Sequence, residues 1–381
     1  MEKKAIGIMS GTSLDGIDVV MASIQGTNRQ TIIRQIAFET FPIDESLKAD
    51  LLKAMDHHES SSELICHLHV ELAHVFSDAV ISFCMKHNIL LSSIDFVASH
   101  GQTIWHITKE MNGLTPSSLQ LGDGSVMAQR LKTTVVSNFR NADIAQGGEG
   151  APLVPFADDI LFHSKTQTRV IHNIGGISNV TVLNQNGTPD DIIAFDTGPG
   201  NMMINRAMEV LYGLPYDKDG MIARSGKPIP RLIMNVFSHP YFELHPPKST
   251  GRETFGQRQT DTLINFFREH PKEDIVRSMT EIVIHSIEQS YRMHIMPKIQ
   301  PDAIYFCGGG VHNTFLMERL KQSLPELSMF PLETLGYSED AKEALAFVIL
   351  ANQTLNHLPS NLPSATGAKA HAILGSISYG R

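Results

Sequence analysis

The apolar positions of this chain first gather in two short runs, Ala5 to Met9 and Val19 to Ile24, around the mostly polar stretch Ser10-Gly11-Thr12-Ser13-Leu14-Asp15-Gly16-Ile17-Asp18. That pattern predicts a strand, a glycine turn and a second strand, together a hairpin. A third strand is expected over Thr31 to Phe41, closed by Pro42. From Glu63 to Lys86 the period changes: Leu64, Leu68, Leu72, Val75, Ala79 and Phe83 recur at helical spacing, and Ser60 to Ser62 supply N-cap chemistry. Strands are expected next at Ile94 to Ser99, Leu119 to Leu121 and Thr133 to Ser137, with a helix at Val126 to Leu131. Mixed strands and helices argue for an α/β chain.

The second half repeats the scheme. Arg169 to Leu183 again reads as strand, glycine turn, strand, turning at Gly175-Gly176; Ile192 to Phe195 reads as a strand before a helix at Met202 to Tyr212. Residues 213–258 are rich in Pro, Gly and charge and predict loops with short helices. Helices are expected at Thr260 to Arg268 and Lys272 to Ile295. The strand Ala303 to Phe306 then leads through Cys307-Gly308-Gly309-Gly310 into a helix at His312 to Leu324, and a last long helix is expected at Asp340 to Leu355. This divides the chain into residues 1–135 and 136–356, with 357–381 able to pack back on the first domain.

Glycines let the backbone approach a ligand closely, and successive N–H groups at a turn form a nest for anions. Any one of the three glycine turns is an ordinary turn by itself. Their order, a hairpin in each half and then a strand–triglycine–helix junction, points to a nucleotide held in a cleft between duplicated domains.

Composition narrows this further. At 381 residues the chain is long enough for two domains, and its 42% apolar content fits a soluble globular protein. With 31 basic against 40 acidic residues the net charge is -9, which argues against a nucleic-acid partner. Anionic ligands must therefore be met by local cations and backbone amides. The cysteines Cys66, Cys84 and Cys307 show no metal-ligand spacing and fit a reducing cytoplasm. The apolar run after Met1-Glu2-Lys3-Lys4 is too short for a signal peptide, and no segment is expected to reach the length of a membrane span. His67 and His74 can share a helix face, read as polar surface because no Cys or carboxylate set completes a metal site.

These motifs, in this order, closely resemble the anhydro-N-acetylmuramic acid kinases, within the superfamily of sugar kinases, acetate kinase, actin and heat-shock chaperone ATPases. The matching stretches are Met9 to Gly16, His100-Gly101-Gln102-Thr103-Ile104-Trp105-His106, Gly150 to Pro155, Asn173 to Ile177, Phe195-Asp196-Thr197-Gly198-Pro199-Gly200-Asn201, Pro247-Lys248-Ser249-Thr250-Gly251-Arg252-Glu253, Glu343 to Phe347 and Leu362 to Ala368. The resemblance implies two duplicated actin-like (ribonuclease H-like) α/β domains around a central nucleotide and substrate cleft. It implies ATP-dependent conversion of 1,6-anhydro-N-acetylmuramic acid plus water to N-acetylmuramic acid 6-phosphate in bacterial cell-wall recycling, by a cytoplasmic homodimer without nucleic-acid or membrane partners. In the anhydro sugar O6 is an ether to C1 and has no proton to lose. Water must attack C1, releasing O6 to take the γ-phosphoryl group, so one base acting on that water can drive both steps.

Asp196 is the candidate base: it follows an apolar strand and precedes Thr197-Gly198-Pro199-Gly200, where α/β clefts form. Its alternative role, capping the following helix, falls more naturally to Asn201. Glu343, near the start of the last long helix, is expected by resemblance to contact substrate or the attacking water; a favourable charge on the helix dipole is its other reading. For ATP, Gly11, Thr12, Ser13, Leu14, Asp15, Gly16, Ile17 and Asp18 are expected at the terminal phosphates, Gly175 and Gly176 at a second phosphate contact, and Gly308, Gly309 and Gly310 on the adenosine side. Phosphoryl transfer calls for Mg²⁺, with Asp15 and Asp18 as candidate partners or as turn aspartates bonded to their own backbone. Neither Gly226-Lys227-Pro228 nor Lys248-Ser249-Thr250 has P-loop spacing.

The substrate's lactyl carboxylate suits Arg140, whose fork binds a carboxylate twice; a surface pair with Asp143 is the alternative. His100, Gln102 and Thr103, expected just past a strand end, are candidates for the sugar site, and Trp105 can pack on a sugar face or in the core. Asn205 departs from the family pattern, in which an acidic residue commonly stands nearby. Two other readings share these features: a kinase of the same fold for an ordinary sugar hydroxyl, and a nucleotide-binding regulatory module.

Overall fold

The computed structural model describes residues 1–380 except Ser13 and Asn112. The chain forms two compact units, Met1–Leu161 with Asp340–Arg381, and Phe162–Glu339. In the first, β1 (Lys3–Ser10), β2 (Ile17–Gln25) and β3 (Ile32–Phe41) precede α1 (Glu45–Met55) and α2 (Ser62–Lys86). β4 (Phe96–Ile107), β5 (Ser117–Leu121), α3 (Gly124–Leu131), β6 (Thr134–Ser137), α4 (Asn141–Ala145) and α5 (Val154–Phe162) follow. The second unit holds β7 (Arg169–Ile174), β8 (Ile177–Leu183), β9 (Ile193–Pro199), α6 (Asn201–Tyr212), α7 (Met221–Ser225), α8 (Pro230–Phe237), α9 (Arg252–Phe255), α10 (Gln257–Phe266), α11 (Lys272–Ser290), β10 (Ala303–Cys307), α12 (Thr314–Ser323) and β11 (Met329–Pro331). The chain then returns to the first unit with α13 (Lys342–Leu355), α14 (Pro363–Thr366) and β12 (Ser376–Ser378).

The two sheets share one plan. The first runs β12-β6-β4-β1-β2-β3, with β5 paired to β4, and the second runs β11-β10-β7-β8-β9. In each, the first three strands form an antiparallel meander, and the next two long-range strands add parallel to the first. That is the duplicated actin-like order.

Alternation puts Ile6, Ile8, Val19 and Met21 into one core with Leu68, Leu72, Phe76 and Phe83 of α2. On the opposite face of β1, a Cβ on Gly7 would stand 2.2 Å from the carbonyl oxygen of Ala344, so this glycine lets α13 pack directly on the strand. Glu343 is thereby fixed next to the end of the first sheet. α2 starts where Ser61 accepts from the Leu64 N–H at 3.1 Å. At 25 residues it is long and apolar enough to cross a membrane, which corrects the expectation that no segment reaches that length. Its apolar stripe is packed in the core of its own unit, and Glu63, Asp78 and His67 line its exposed side.

Several elements differ from the sequence pattern. β4 does not end at Ser99 but continues to Ile107, because β5 pairs with it from Gln102 to Ile107 and supplies partners for its polar side chains. β9 continues through Asp196 to Pro199, against β8. α6 has Gly200 at its cap, and Asn201 instead sends its amide to the Ile174 carbonyl at 3.1 Å, so the expected Asn201 cap is not formed. α12 starts two residues late because Gly309–His312 forms a tighter turn first, leaving Asn313 to cap the helix. The units divide at 161/162 and 339/340 where the pattern suggested 135/136 and 356/357, because α4, α5 and α13 all pack with the first sheet's side of the chain.

Candidate active site

In the first unit, the turn between β1 and β2 is anchored from inside. Leu14 and Ile17 are buried in the core, so these two offer only backbone to a ligand, while Thr12 and Asp15 are exposed. Ser13 lies outside the described residues. Gln102 is fully buried; it accepts from the Ser10 hydroxyl at 2.6 Å and donates to the Gly11 carbonyl at 3.3 Å, bracing the turn. Asp18, half-buried, accepts from the Thr40 hydroxyl at 2.6 Å. Burial first, and then the charges of Asp340 and Asp15, push its carboxyl above the ordinary aspartate value.

Glu343 stands in the first turn of α13. Its side chain is reachable by solvent, yet it sits in a crowded recess that raises its carboxyl: desolvation leads, Asp18 and Asp158 add to it, and Lys342 and Arg140 oppose it. Lys342 itself is buried and paired with Asp158 at 3.0 Å. Asp18 and Glu343 therefore share one neighbourhood, with Asp15 and Asp340 close to Asp18, in which the like charge of the carboxylates is only partly offset by Lys342 and Arg140. That chemistry fits Mg²⁺, which keeps several waters and takes one or two carboxylates plus phosphate oxygens. Among the described residues no three or more His, Cys, Asp or Glu side chains are grouped so as to hold a metal ion by themselves, so phosphate and water would have to supply the remaining ligands.

Arg140 is not a surface residue paired with Asp143. Its guanidinium donates to the Gly150 carbonyl and to His100 Nε2, both at 2.8 Å, and its Nε meets no acceptor among the described residues. Burial lowers its pKa to about 10, so it remains a cation. His100, 4% exposed on β4, is pushed down to about 3 by burial and then by Arg140, and stays neutral with Nε2 as acceptor. Asp143 is fully buried and instead accepts from the Gly150 N–H at 2.8 Å and from Asn361 and Thr366 at 2.7 Å. Thr103 accepts from Gln120, which also donates to Ser118 beside His106. Trp105 lies on the outer side of β4, 39% exposed, not in the core.

In the second unit, Gly175-Gly176 turn directly between Ile174 and Ile177, and their carbonyls receive the N–H groups of Gly200, Asn201 and Met202 at the start of α6. A Cβ on Gly308, at φ +85°, would lie 2.3 Å from Asn173 Oδ1. The Gly308 amide donates to Glu339 at 3.0 Å and Gly310 is packed on Ile174, which leaves Gly309 as the exposed member of the triplet. Beneath the hairpin, buried His172 joins the Tyr291 hydroxyl at 3.0 Å to the Ser178 hydroxyl at 2.8 Å, and Thr197 donates to Ser178 at 2.7 Å.

Asp196 is half-buried on β9 rather than beyond a strand end, at a bulge where Asn179 pairs with Asp196 and Ser178 with Gly198, leaving Thr197 as the extra residue. Its N–H donates to the Lys248 carbonyl at 3.0 Å, its carbonyl accepts from the Tyr241 hydroxyl at 2.5 Å, and its Oδ2 accepts from the Thr250 N–H at 2.8 Å. Sequence reasoning did not assign Thr250 to this carboxylate, or Tyr241 and Lys248 to the backbone that carries it. The Pro247–Glu253 motif carries the signal for Lys248 and Thr250, and Tyr241 lies outside it.

Two units with one strand order, each carrying a glycine turn in its first hairpin, define an actin-like α/β protein. The chain belongs to the anhydro-N-acetylmuramic acid kinase family, whose model, described as anhydro-N-acetylmuramic acid kinase, matches residues 3–380. It is 46% identical over 377 residues to the anhydro-N-acetylmuramic acid kinase of Francisella tularensis subsp. novicida (strain U112), covering 99% of each chain. It is 45% identical over 373 residues to that of Clostridioides difficile (strain 630), covering 98% of this chain and 97% of the relative. Among solved structures, component A of the Acidaminococcus fermentans (R)-2-hydroxyglutaryl-CoA dehydratase aligns over 91% of this chain and 96% of its own, at 11% identity and a TM-score of 0.45. The fold class rests on strand order and not on that likeness.

Proposed function

We propose that this chain is an ATP-dependent kinase converting 1,6-anhydro-N-acetylmuramic acid and water to N-acetylmuramic acid 6-phosphate, a step of bacterial cell-wall recycling. Family membership over residues 3–380 supports the reaction, and the observation that carries the mechanism is the setting of Asp196. A general base must keep its lone pairs oriented while remaining reachable. Asp196 has its backbone tied at both N–H and C=O and one carboxylate oxygen held by an amide, yet it stays half-exposed.

Asp196 takes a proton from water as the water oxygen bonds to C1. The C1–O6 bond breaks, its electron pair stays on O6, and O6 attacks the γ-phosphorus while ADP leaves. In the first unit, the amides of the β1–β2 turn and Thr12 receive phosphate oxygens, Arg140 receives the lactyl carboxylate, and Glu343 positions the sugar or the water. His100, Gln102 and Thr103 shape that region; Gln102 acts through the turn it braces. In the second unit, Gly175 and Gly176 receive phosphate and Gly309 leaves room for the nucleoside. Mg²⁺, held through Asp18 with Asp15 nearby, would neutralise charge on the β- and γ-phosphates. A cytoplasmic location and a homodimeric state belong to the same proposal and rest on the family resemblance.

ADP release is to be measured with Mg²⁺-ATP and either the anhydro sugar, N-acetylmuramic acid or glucose. Release confined to the anhydro sugar, with ¹⁸O from labelled water entering the product at C1, supports the reaction. Release with ordinary sugars, or none with any sugar, refutes it. Asp196→Asn is expected to lower kcat by about 10³-fold or more while keeping the fold; near-wild-type turnover in a folded variant would sink the base assignment.

A further inference from the structure

Lys248 has an unusual setting for a lysine. It is 8% exposed, its ammonium lies 4.6 Å from the centre of the Tyr241 ring, and it meets no hydrogen-bond acceptor among the described residues. Lysine is seldom buried unless its charge is used. The segment it belongs to wraps the residue proposed as the base: the Lys248 carbonyl takes the Asp196 N–H, the Thr250 amide holds Asp196 Oδ2, and Tyr241, under the ammonium, holds the Asp196 carbonyl.

We propose that Lys248 is a positioning residue for Asp196, its ammonium keeping that carboxylate ionised so that it can accept the proton of the attacking water. The inference rests on the reading of Asp196 as the base. Among the described residues, Asp196 is the negative group that acts on the ammonium. From β9 comes Asp196; from the turn Pro240–Glu243 comes Tyr241; from the turn Tyr291–Ile295 that ends α11 comes His294; His245 of the same loop and Lys298 lie beside His294. His294 is held neutral, its pKa down to about 4, by burial first and then by Lys248, His245 and Lys298. Tyr241 is likewise neutral, because burial and the Asp196 charge both oppose its ionisation. Burial lowers the Lys248 pKa to about 8 against the pull of Asp196, which leaves it a cation at neutral pH. Among the described residues the ammonium and the Asp196 carboxylate are thus the unlike charges of this region, and the attraction of Asp196 offsets part of the cost of burying the ammonium.

Removing the cation raises the Asp196 pKa, so the acidic limb of the kcat–pH profile moves to higher pH. For Lys248→Met the expected shift is about one pH unit upward, with KM for ATP and for the sugar unchanged. Lys248→Arg, which keeps the charge, should return the limb toward its wild-type position, and Lys298→Met, an exposed charge farther along the chain, should leave it in place. An unmoved limb overturns the proposal: with a raised KM, Lys248 contacts a ligand instead, and with an unchanged KM it is structural. If Lys248→Met does not fold, a carboxyl NMR titration of Asp196 in the wild-type protein replaces it. A midpoint below the ordinary aspartate value supports the proposal; one at or above it overturns it. Asp196→Asn in the same assay separates the two readings, since retained turnover there removes the base itself, whatever Lys248 does.

Discussion

Arg140 shows how one side chain can be structural and available at once. Two of its nitrogens are spent on Gly150 and His100, while Nε is buried without an acceptor. A buried donor left unmade costs about 1–3 kcal/mol, a cost that a ligand carboxylate arriving at the guanidinium can relieve. Lysine cannot reproduce this fork. Arg140→Lys is therefore expected to reduce the preference for 1,6-anhydro-N-acetylmuramic acid over the same sugar without its lactyl group about tenfold in kcat/KM. Competition assays with the two sugars measure this; an unchanged preference would place the lactyl group elsewhere. At this scale the sequence singles out candidate residues and is silent about what they touch. Asp196 and Arg140 stood out through their local pattern, but the partners of Asp196 come from Tyr241, Lys248 and Thr250, far along the chain. No local period encodes such contacts, and the Arg140–Asp143 alternative failed for the same reason.

The glycine turns were the most legible elements, because strand–glycine–strand leaves few other conformations. β1, β2, β7, β8 and β10 lie within a residue or two of their expected places. β4 and β9 were cut short because His100, Gln102, Asp196 and Thr197 interrupt the apolar runs, although a neighbouring strand completes both ladders. α1, capped by Asp44, was missed for lack of a strong apolar stripe: only Leu51 and Ala54 are buried. The triglycine junction offers a test that separates fold from function. Gly308 has φ +85° and no room for a Cβ beside Asn173. Gly308→Ala should lose about 1–2 kcal/mol in urea unfolding from the left-handed backbone alone, before the clash is counted. At Gly309 a Cβ would meet nothing closer than Asn201 Nδ2, 3.7 Å away. Gly309→Ala should keep wild-type stability and weaken ATP binding, read as a higher KM for ATP with the KM for sugar unchanged. Equal ATP affinity in the Gly309 variant would remove the junction from the nucleotide site.

Over the whole chain, duplication was readable as repeated hairpins, but where the chain crosses back was not. The first unit is assembled from both ends: α13 packs on β1 through Gly7, and β12 pairs with β6. Asp143 is the polar lock of that closure, because its carboxylate satisfies Gly150 from the loop after α4 together with Asn361 and Thr366 from the returning segment. All of this lies out of water, so removing the carboxylate strands the Gly150 amide and one Asn361 N–H rather than releasing them to solvent, and leaves the Thr366 hydroxyl only its longer bond to the Leu362 carbonyl. Asp143→Ala is expected to cost about 3 kcal/mol or more. Asn361→Ala removes only one of those donors and should cost less. A double-mutant cycle between the two, followed by urea unfolding, should give a coupling energy of about 1 kcal/mol. Additive effects would mean that the returning segment is held by apolar packing and by β12 alone. A coupling of the expected size would mean that Arg140 is positioned from beneath, through Gly150, by a segment more than two hundred residues away in sequence.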